Sequence, residues 1–333
     1  MAIDYPNFQE GTWIAKDFKF HTGEVLPELK IHYRTLGKPS SPAVLLLHGT
    51  TGSGANFLAP TFADEMFGPG QPLDASQYFV IMPDSIGTGG SSKPSDGLRM
   101  RFPQYNYDDA VLAQYRLLTE ALNIKHLRAM IGNSMGGMQA WIWGITYPKF
   151  ADLLVPMASM PSAMSGRNWM LRRLIIDSIR QDPQWMQGNY VEQPPSYQFS
   201  STFYSLATNG GHLGLQSKAP TRAAADEYLN QALQRPMTGD ANDALYQWES
   251  SRDYDPSASL EKIQSRVLAI NSLDDERNPP ELGFLEKGLQ RIPHAQSFLI
   301  PGSDKTTGHT TVSIAKLWKE AFLKVLTTTP PLN

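Results

Sequence analysis

Ser134 lies in the hexapeptide Gly132-Asn133-Ser134-Met135-Gly136-Gly137, with a glycine two residues to either side. An apolar run, 127–131, precedes it, and residues 138–147, read as a helix, follow it. A strand that turns sharply into a helix lifts a serine hydroxyl above the sheet. Glycines are needed beside it because side chains there would strike neighbouring backbone. The start of the following helix adds N–H groups and positive dipole character where an oxyanion develops. The chemistry this serves is acyl transfer through an acyl-serine. The alternative is a glycine-rich turn without chemistry, and the strand and helix flanks argue against it.

A serine hydroxyl is a poor nucleophile until a base takes its proton, and histidine suits neutral pH. After an elbow of this kind the base follows the last strand. Of seven histidines, His309 lies in the polar loop 305–311, just after the apolar run 297–300. His294 precedes that run and falls at the opposite edge of a sheet. His21, His32, His126 and His212 lie in the wrong segments, and His48 is read as a structural loop residue. The acid closes the strand 267–271, within Ser272-Leu273-Asp274-Asp275-Glu276-Arg277-Asn278-Pro279. A carboxylate four residues before proline selects Asp275, with Asp274 as its competitor and Glu276 in solvent. The chain order is then Ser134, Asp275, His309. The oxyanion donors are main-chain groups: Thr50, in the loop His48-Gly49-Thr50-Thr51-Gly52 after the strand 43–47, and Met135, directly after the serine.

The elements that must position these groups alternate. Residues 13–20 and 28–36 read as a strand hairpin turning near 21–23. Runs at 43–47, 78–82, 127–131, 153–157, 267–271 and 297–300 read as six further strands. Several are apolar throughout, as strands buried on both faces are. Helical spacing appears at 107–122, 138–147 and 312–326. The expected fold is α/β, with a mostly parallel eight-stranded sheet and helices on both faces. From 161 to 259 no strand-like run appears. Helical stretches at 168–181, with Leu171, Leu174, Ile175 and Ile179 on one side, and at 221–234 mark an inserted helical cap. The expected division is residues 1–160 and 260–333 as core, 161–259 as cap.

Composition narrows the function. The 333 residues carry 29 Lys and Arg against 32 Asp and Glu, a formal charge of −3, which gives no footprint for nucleic acid or an anionic membrane. There is no cysteine, so disulfides, thiolate catalysis and Cys-based zinc sites are excluded. No His or carboxylate cluster has metal-ligand spacing beyond the acidic loop at Asp274, so neither metal nor cofactor is expected. No stretch approaches about 18 uninterrupted apolar residues, the length of a membrane span. Residues 1–10 lack a signal-peptide pattern. As written the chain reads as cytoplasmic, and as periplasmic or secreted if a presequence has been removed.

In these pieces the chain resembles the homoserine O-acetyltransferase family of the α/β-hydrolases. The likeness runs from 33–37 to the His309 loop. It rests on 48–52, 109–114, Ser134-Met135-Gly136-Gly137-Met138-Gln139 and the stretch 175–190, with Asn133 where the family has glycine. The resemblance implies a triad of Ser134, Asp275 and His309, an oxyanion hole at Thr50 and Met135, and pairing into a homodimer through the cap. Two departures stand out. The family carries Asp directly after the catalytic histidine, for the substrate ammonium, and here that residue is Thr310. It also carries an Arg in the cap for the substrate carboxylate, and the stretch 193–211 has none. A site without that anion and cation is poorly matched to a zwitterion.

Water therefore replaces homoserine as the expected acceptor. The expectation is a serine-dependent carboxylic ester hydrolase acting on a small-molecule ester. The alternatives are an O-acyltransferase using acyl-CoA and a non-catalytic binding protein of the same fold. Thr51, Arg167 and Trp169 are the candidate substrate contacts. Met160, Met164, Trp169, Met170, Trp185, Phe199, Phe203 and Tyr204 would suit an apolar substrate group, or else fill the cap's own core. Arg172 and Arg173 read as a solvated helix face.

Overall fold

Eight strands form one sheet in the order β1-β2-β4-β3-β5-β6-β7-β8. They are β1 Gln9–Lys19, β2 Val25–Leu36, β3 Ala43–Leu47, β4 Phe79–Pro83, β5 Leu127–Asn133, β6 Ala151–Met157, β7 Arg266–Ser272 and β8 Ala295–Ile300. This is a computed structural model, and it describes residues 5–332. Residues 1–4, part of the segment 1–10 read above for a signal peptide, and residue 333 lie outside it. The pairs β1–β2 and β2–β4 are antiparallel, and all later pairs are parallel. Every strand expected from the sequence is present. The hairpin strands are longer than expected because edge residues alternate in exposure and so carry a weaker apolar signal.

Ten α-helices accompany the sheet among the described residues. They are α1 Pro60–Met66, α2 Tyr107–Arg116, α3 Met135–Thr146, α4 Gly166–Gln181, α5 Pro195–Thr208, α6 His212–Lys218, α7 Arg222–Gln234, α8 Ala241–Glu249, α9 Phe284–Leu289 and α10 Lys319–Thr328. Strand side chains alternate between faces, so β3 feeds two cores. Val44 and Leu46 join one with Phe62, Met66, Trp318 and Phe322 from α1 and the C-terminal segment. Leu45 and Leu47 join the other with Val111 of α2 and Trp141 of α3. Helices on both faces explain why β3, β4 and β6 are buried at every position.

The C-terminal helix is a correction. Residues 312–326 were expected to be continuous, but two 3₁₀ turns, His309–Ser313 and Ala315–Leu317, come first and α10 starts at Lys319. Hydroxyl-to-backbone bonds such as Ser313 Oγ to the Thr310 carbonyl (2.6 Å) compete locally with helix bonds.

Helices α4 to α8 are inserted between β6 and β7. They share a third core with the β1–β2 hairpin, where Ile175, Ile179, Trp185 and Leu245 meet Phe18, Phe20 and Ile31. The last of these helices, α8, is buried at every residue. The apolar side of α4 also differs from expectation. Leu174 is 58% exposed, and the inward stripe is Arg172, Ile175, Ile176 and Ile179, at spacing i, i+3, i+4, i+7. Arg172 is therefore buried, not solvated. Its Nε donates to Asn168 and its Nη1 to Ser251, and its guanidinium lies 5.0 Å from the Trp248 ring. Arg173, as expected, is on the outer face, paired with Asp177.

Candidate active site

The serine sits where β5 ends and α3 begins, at φ 54° and ψ −107°. A non-glycine residue with positive φ is strained and persists only when its surroundings enforce it. Here the enforcement is close packing. A Cβ on Gly132 would run into the Gly136 carbonyl, and one on Gly136 into the Leu47 carbonyl. The Ser134 N–H donates to the Met157 carbonyl (2.9 Å) and the Gly136 N–H to the His48 carbonyl (3.0 Å), locking the turn to β6 and to the loop after β3.

His309 comes to this serine from 175 residues away. Its Nε2 is 2.7 Å from Ser134 Oγ. Its Nδ1 is 2.9 and 3.0 Å from the two oxygens of Asp275, so the proton on Nδ1 faces a carboxylate and Nε2 is left to accept. Asp275 is fixed in turn. It accepts from the Arg277 N–H (2.8 Å), the Asn278 N–H (3.3 Å) and Asn278 Nδ2 (3.0 Å). Burial raises the Asp275 carboxyl, but the His309 ring and these hydrogen bonds outweigh it and hold its pKa below the ordinary value. Burial lowers the His309 pKa and the nearby Arg277 charge lowers it further, against the raising effect of Asp275, so the neutral imidazole is favoured.

Asp274, the competing acid, points elsewhere. It accepts from Ser272 Oγ and from Thr306 Oγ1 (2.6 Å), with Gly211 beside it. Glu276 is not free in solvent, since it meets Arg167 (2.8 Å) and His212 (2.7 Å). Between Asp274 and Asp275 the geometry brings only Asp275 to the imidazole.

Thr50 and Met135 were the expected oxyanion donors. Met135 opens α3, where the first backbone N–H groups have no partner within the helix. Thr50 lines the same cavity as Ser134, and its hydroxyl is buried without a partner. His48 is structural. Its Nδ1 bonds the Gly49 carbonyl (2.8 Å) and its Nε2 accepts from the Ser85 N–H (3.0 Å), while burial lowers its pKa.

A cavity of about 730 Å³ opens above Ser134 and His309, roofed by α5 and by residues 232–239 at and beyond the end of α7. Thr51 lines it, but Arg167 and Trp169 do not. Arg167 is held by Glu276, and Trp169 packs on the third core. Of the aromatic and Met residues expected to favour an apolar substrate, only Tyr204 lines the cavity. Met170, Phe199 and Phe203 face outward, and Trp185 is buried with its Nε1 on Asn242. Helical spacing alone did not show which face of each inserted helix looks down.

A family model described as alpha/beta hydrolase fold matches residues 42–306. The chain belongs to the α/β-hydrolase family. Within that family it stands with the homoserine O-acetyltransferase-like members. It is 30% identical to a homoserine O-acetyltransferase of Haloarcula marismortui over 80% of this chain and 76% of that protein. It is 29% identical to a probable acyltransferase of Methanothermobacter thermautotrophicus over 93% of this chain and 95% of that one. The fold matches a homoserine O-acetyltransferase structure from Bacillus anthracis at TM-score 0.84, with 21% identity, covering 98% of this chain and 99% of that one. It matches an esterase crystal structure at TM-score 0.82, with 20% identity, covering 96% and 100%. This α/β-hydrolase is an enzyme of a family that holds both acyltransferases and esterases.

Three residues of the site escaped the sequence reading. Asn278 braces Asp275 and donates to the Ala158 carbonyl (2.9 Å). It lies one residue before the proline that identified the acid loop, and that position was its only signal. Gln247, buried on α8, accepts from the Thr51 N–H (2.8 Å) and donates to the Gly87 carbonyl (2.6 Å), so an inserted helix holds the loop after β3. Nothing in local sequence marks it. Arg277 is the third, and it lines the cavity. Among the described residues, no group of three or more His, Cys, Asp or Glu is arranged to hold a metal. Among the described residues no helix is long and apolar enough to cross a membrane.

Proposed function

We propose that this α/β-hydrolase is a carboxylic ester hydrolase working through an acyl-serine, with Ser134 as nucleophile, His309 as base and Asp275 as its orienting acid. The observation that carries the reading is the 2.7 Å contact of His309 Nε2 with Ser134 Oγ, backed by the carboxylate on Nδ1. His309 removes the hydroxyl proton as Oγ attacks the ester carbonyl. The oxyanion forms between the Thr50 and Met135 N–H groups. Collapse expels the alcohol, which takes the proton back from His309. Water then repeats the sequence: His309 deprotonates it, the acyl–serine bond breaks, the carboxylic acid leaves and Oγ is reprotonated. Asp275 holds the Nδ1 tautomer and stabilises the imidazolium without itself taking the proton. In this reading the inserted helices are a cap that shapes the substrate space, with Thr51 at its edge.

A second reading is transfer of the acyl group to an alcohol, favoured by the acyltransferase names of the relatives. Both readings share the acyl-serine and differ in what attacks it. The test supplies an ester and, separately, acetyl-CoA, each with and without hydroxyl acceptors. Ester hydrolysis without an acceptor is expected, and turnover only in the presence of an alcohol overturns it. A covalent serine probe should label the wild type but not Ser134→Ala. Equal behaviour of the two would leave only a binding protein.

A further inference from the structure

The cavity above Ser134 is lined by two arginines, Arg235 and Arg277, and among the described residues by no carboxylate. Arg235 is exposed at its rim. Arg277 is partly buried in its lining. Among the described residues no carboxylate forms an ion pair with it, and Asp275, two residues away, is engaged by His309. Its side-chain hydrogen bond is from Nη2 to Asn209 Oδ1, at 3.2 Å, and its Nε–H is buried with no partner. A partly buried guanidinium without its anion is costly in proportion to the hydration it has lost.

A second observation converges on the same spot. The guanidinium lies 4.4 Å from the centre of the Tyr204 ring, whose other contact is an edge-on packing with Trp248 at 4.8 Å. The Tyr204 hydroxyl is itself buried without a partner, and Tyr204 lines the cavity too. A cation without a carboxylate partner among the described residues and a tyrosine with an unpartnered hydroxyl therefore line the same cavity as the nucleophile. Arginine and a phenol together present the donors that a planar carboxylate accepts. An ammonium would find no anion there.

We propose that Arg277, with Tyr204, receives the carboxylate of an anionic ester, so that the enzyme prefers esters bearing a carboxylate to neutral ones of the same shape. This names a substrate class for the acyl-serine reading above and rests on it for turnover, though not for binding. Arg277 and Tyr204 are substrate-binding residues in this scheme. The carboxylate supplies the missing charge partner, and the ester carbonyl is presented to Ser134.

Two measurements test it. Calorimetry on the Ser134→Ala protein should show binding of glutarate and none of the uncharged glutaramide. Adding Arg277→Gln should weaken glutarate roughly 10- to 100-fold, as expected for a charge-assisted contact, with Arg277→Lys in between. Turnover of monoethyl glutarate and diethyl glutarate by the unmodified enzyme should favour the charged ester at least about 10-fold in kcat/KM, and Arg277→Gln should erase that ratio. No glutarate binding, or binding indifferent to Arg277→Gln and Arg277→Lys, overturns the inference. Hydrolysis of both esters without preference overturns it too and leaves the hydrolase reading standing. Arg277-dependent glutarate binding with neither ester turned over does the reverse: the anion site stands and hydrolysis falls.

Discussion

The floor and the roof of the active-site cavity are built on different principles. On the floor, Ser134, Asp275 and His309 follow the ends of β5, β7 and β8, and each is tied by backbone geometry: a strained elbow, a tight acidic turn and a 3₁₀ turn. Among the inserted helices above it, Tyr204 is held by packing in the core shared with the β1–β2 hairpin, and Gln247 on α8 by hydrogen bonds to Thr51 and Gly87. In the proposed reading the floor fixes a chemistry that many esters can undergo, and the roof with the Arg277 side chain selects among them. Helix packing tolerates volume-conserving change, whereas the elbow has no room for a single methyl group.

The largest effect that would break this contrast lies on the floor. Ser134→Ala and His309→Ala should each lower kcat by roughly 10⁴- to 10⁶-fold with circular dichroism unchanged, because triad members act as a unit. Retained turnover in either variant would place the chemistry elsewhere. The neighbouring carboxylates give a sharper comparison. Asp275→Asn should lower kcat by about 10⁴-fold through the wrong imidazole tautomer. Asp274→Asn, which loses only hydroxyl contacts, should cost less than about 10-fold. If the two are reversed, the acid is misassigned.

Gln247→Ala tests whether the roof reaches the floor. Releasing the Thr51 N–H loosens the oxyanion loop, and kcat should fall about 10-fold while the serine probe still labels. An unchanged kcat would separate the two regions. A pH profile then reads the floor's electrostatics. The base must be neutral, and burial and Arg277 push its pKa down. The acid limb of kcat/KM should therefore have its inflection below the ordinary histidine value of about 6.5, with activity lost as pH falls through it. An inflection above that value contradicts the buried neutral imidazole.

The smallest effect compares one residue type in both regions. Leu45→Ala, in the core on β3, should cost about 2–5 kcal/mol in denaturant melts. Leu174→Ser, 58% exposed on α4, should change monomer stability by no more than about 0.5 kcal/mol. Met170 and Leu174 on α4 and Phe199 and Phe203 on α5 form exposed apolar stripes on packed helices. Pairing through the cap would cover them, so the wild type should sediment as a dimer that Leu174→Ser weakens. A monomeric wild type ends that expectation.

What the amino-acid order alone determined was most of what depends on local backbone requirement, the hydroxyl-rich turns before α10 excepted. Apolar runs gave the central strands, because strands covered by helices on both faces must be apolar throughout, and the β1–β2 hairpin was read from alternation. The glycines around Ser134 announced the elbow, because no larger residue fits. Asp275 and His309 were found because each follows a strand whose end is visible, and Pro279 marked the acid turn. Only the tertiary structure decided what depends on which faces meet. It turned Arg172 inward and Leu174 outward, left Arg167 and Trp169 off the cavity, and set Gln247 on a loop 196 residues away. It also set Arg277 over the Tyr204 ring and left the Arg277 Nε and the Tyr204 hydroxyl without partners. A turn or a strand is dictated by adjacent residues. A contact between helices depends on how they rotate against one another, and no run of neighbours encodes that angle.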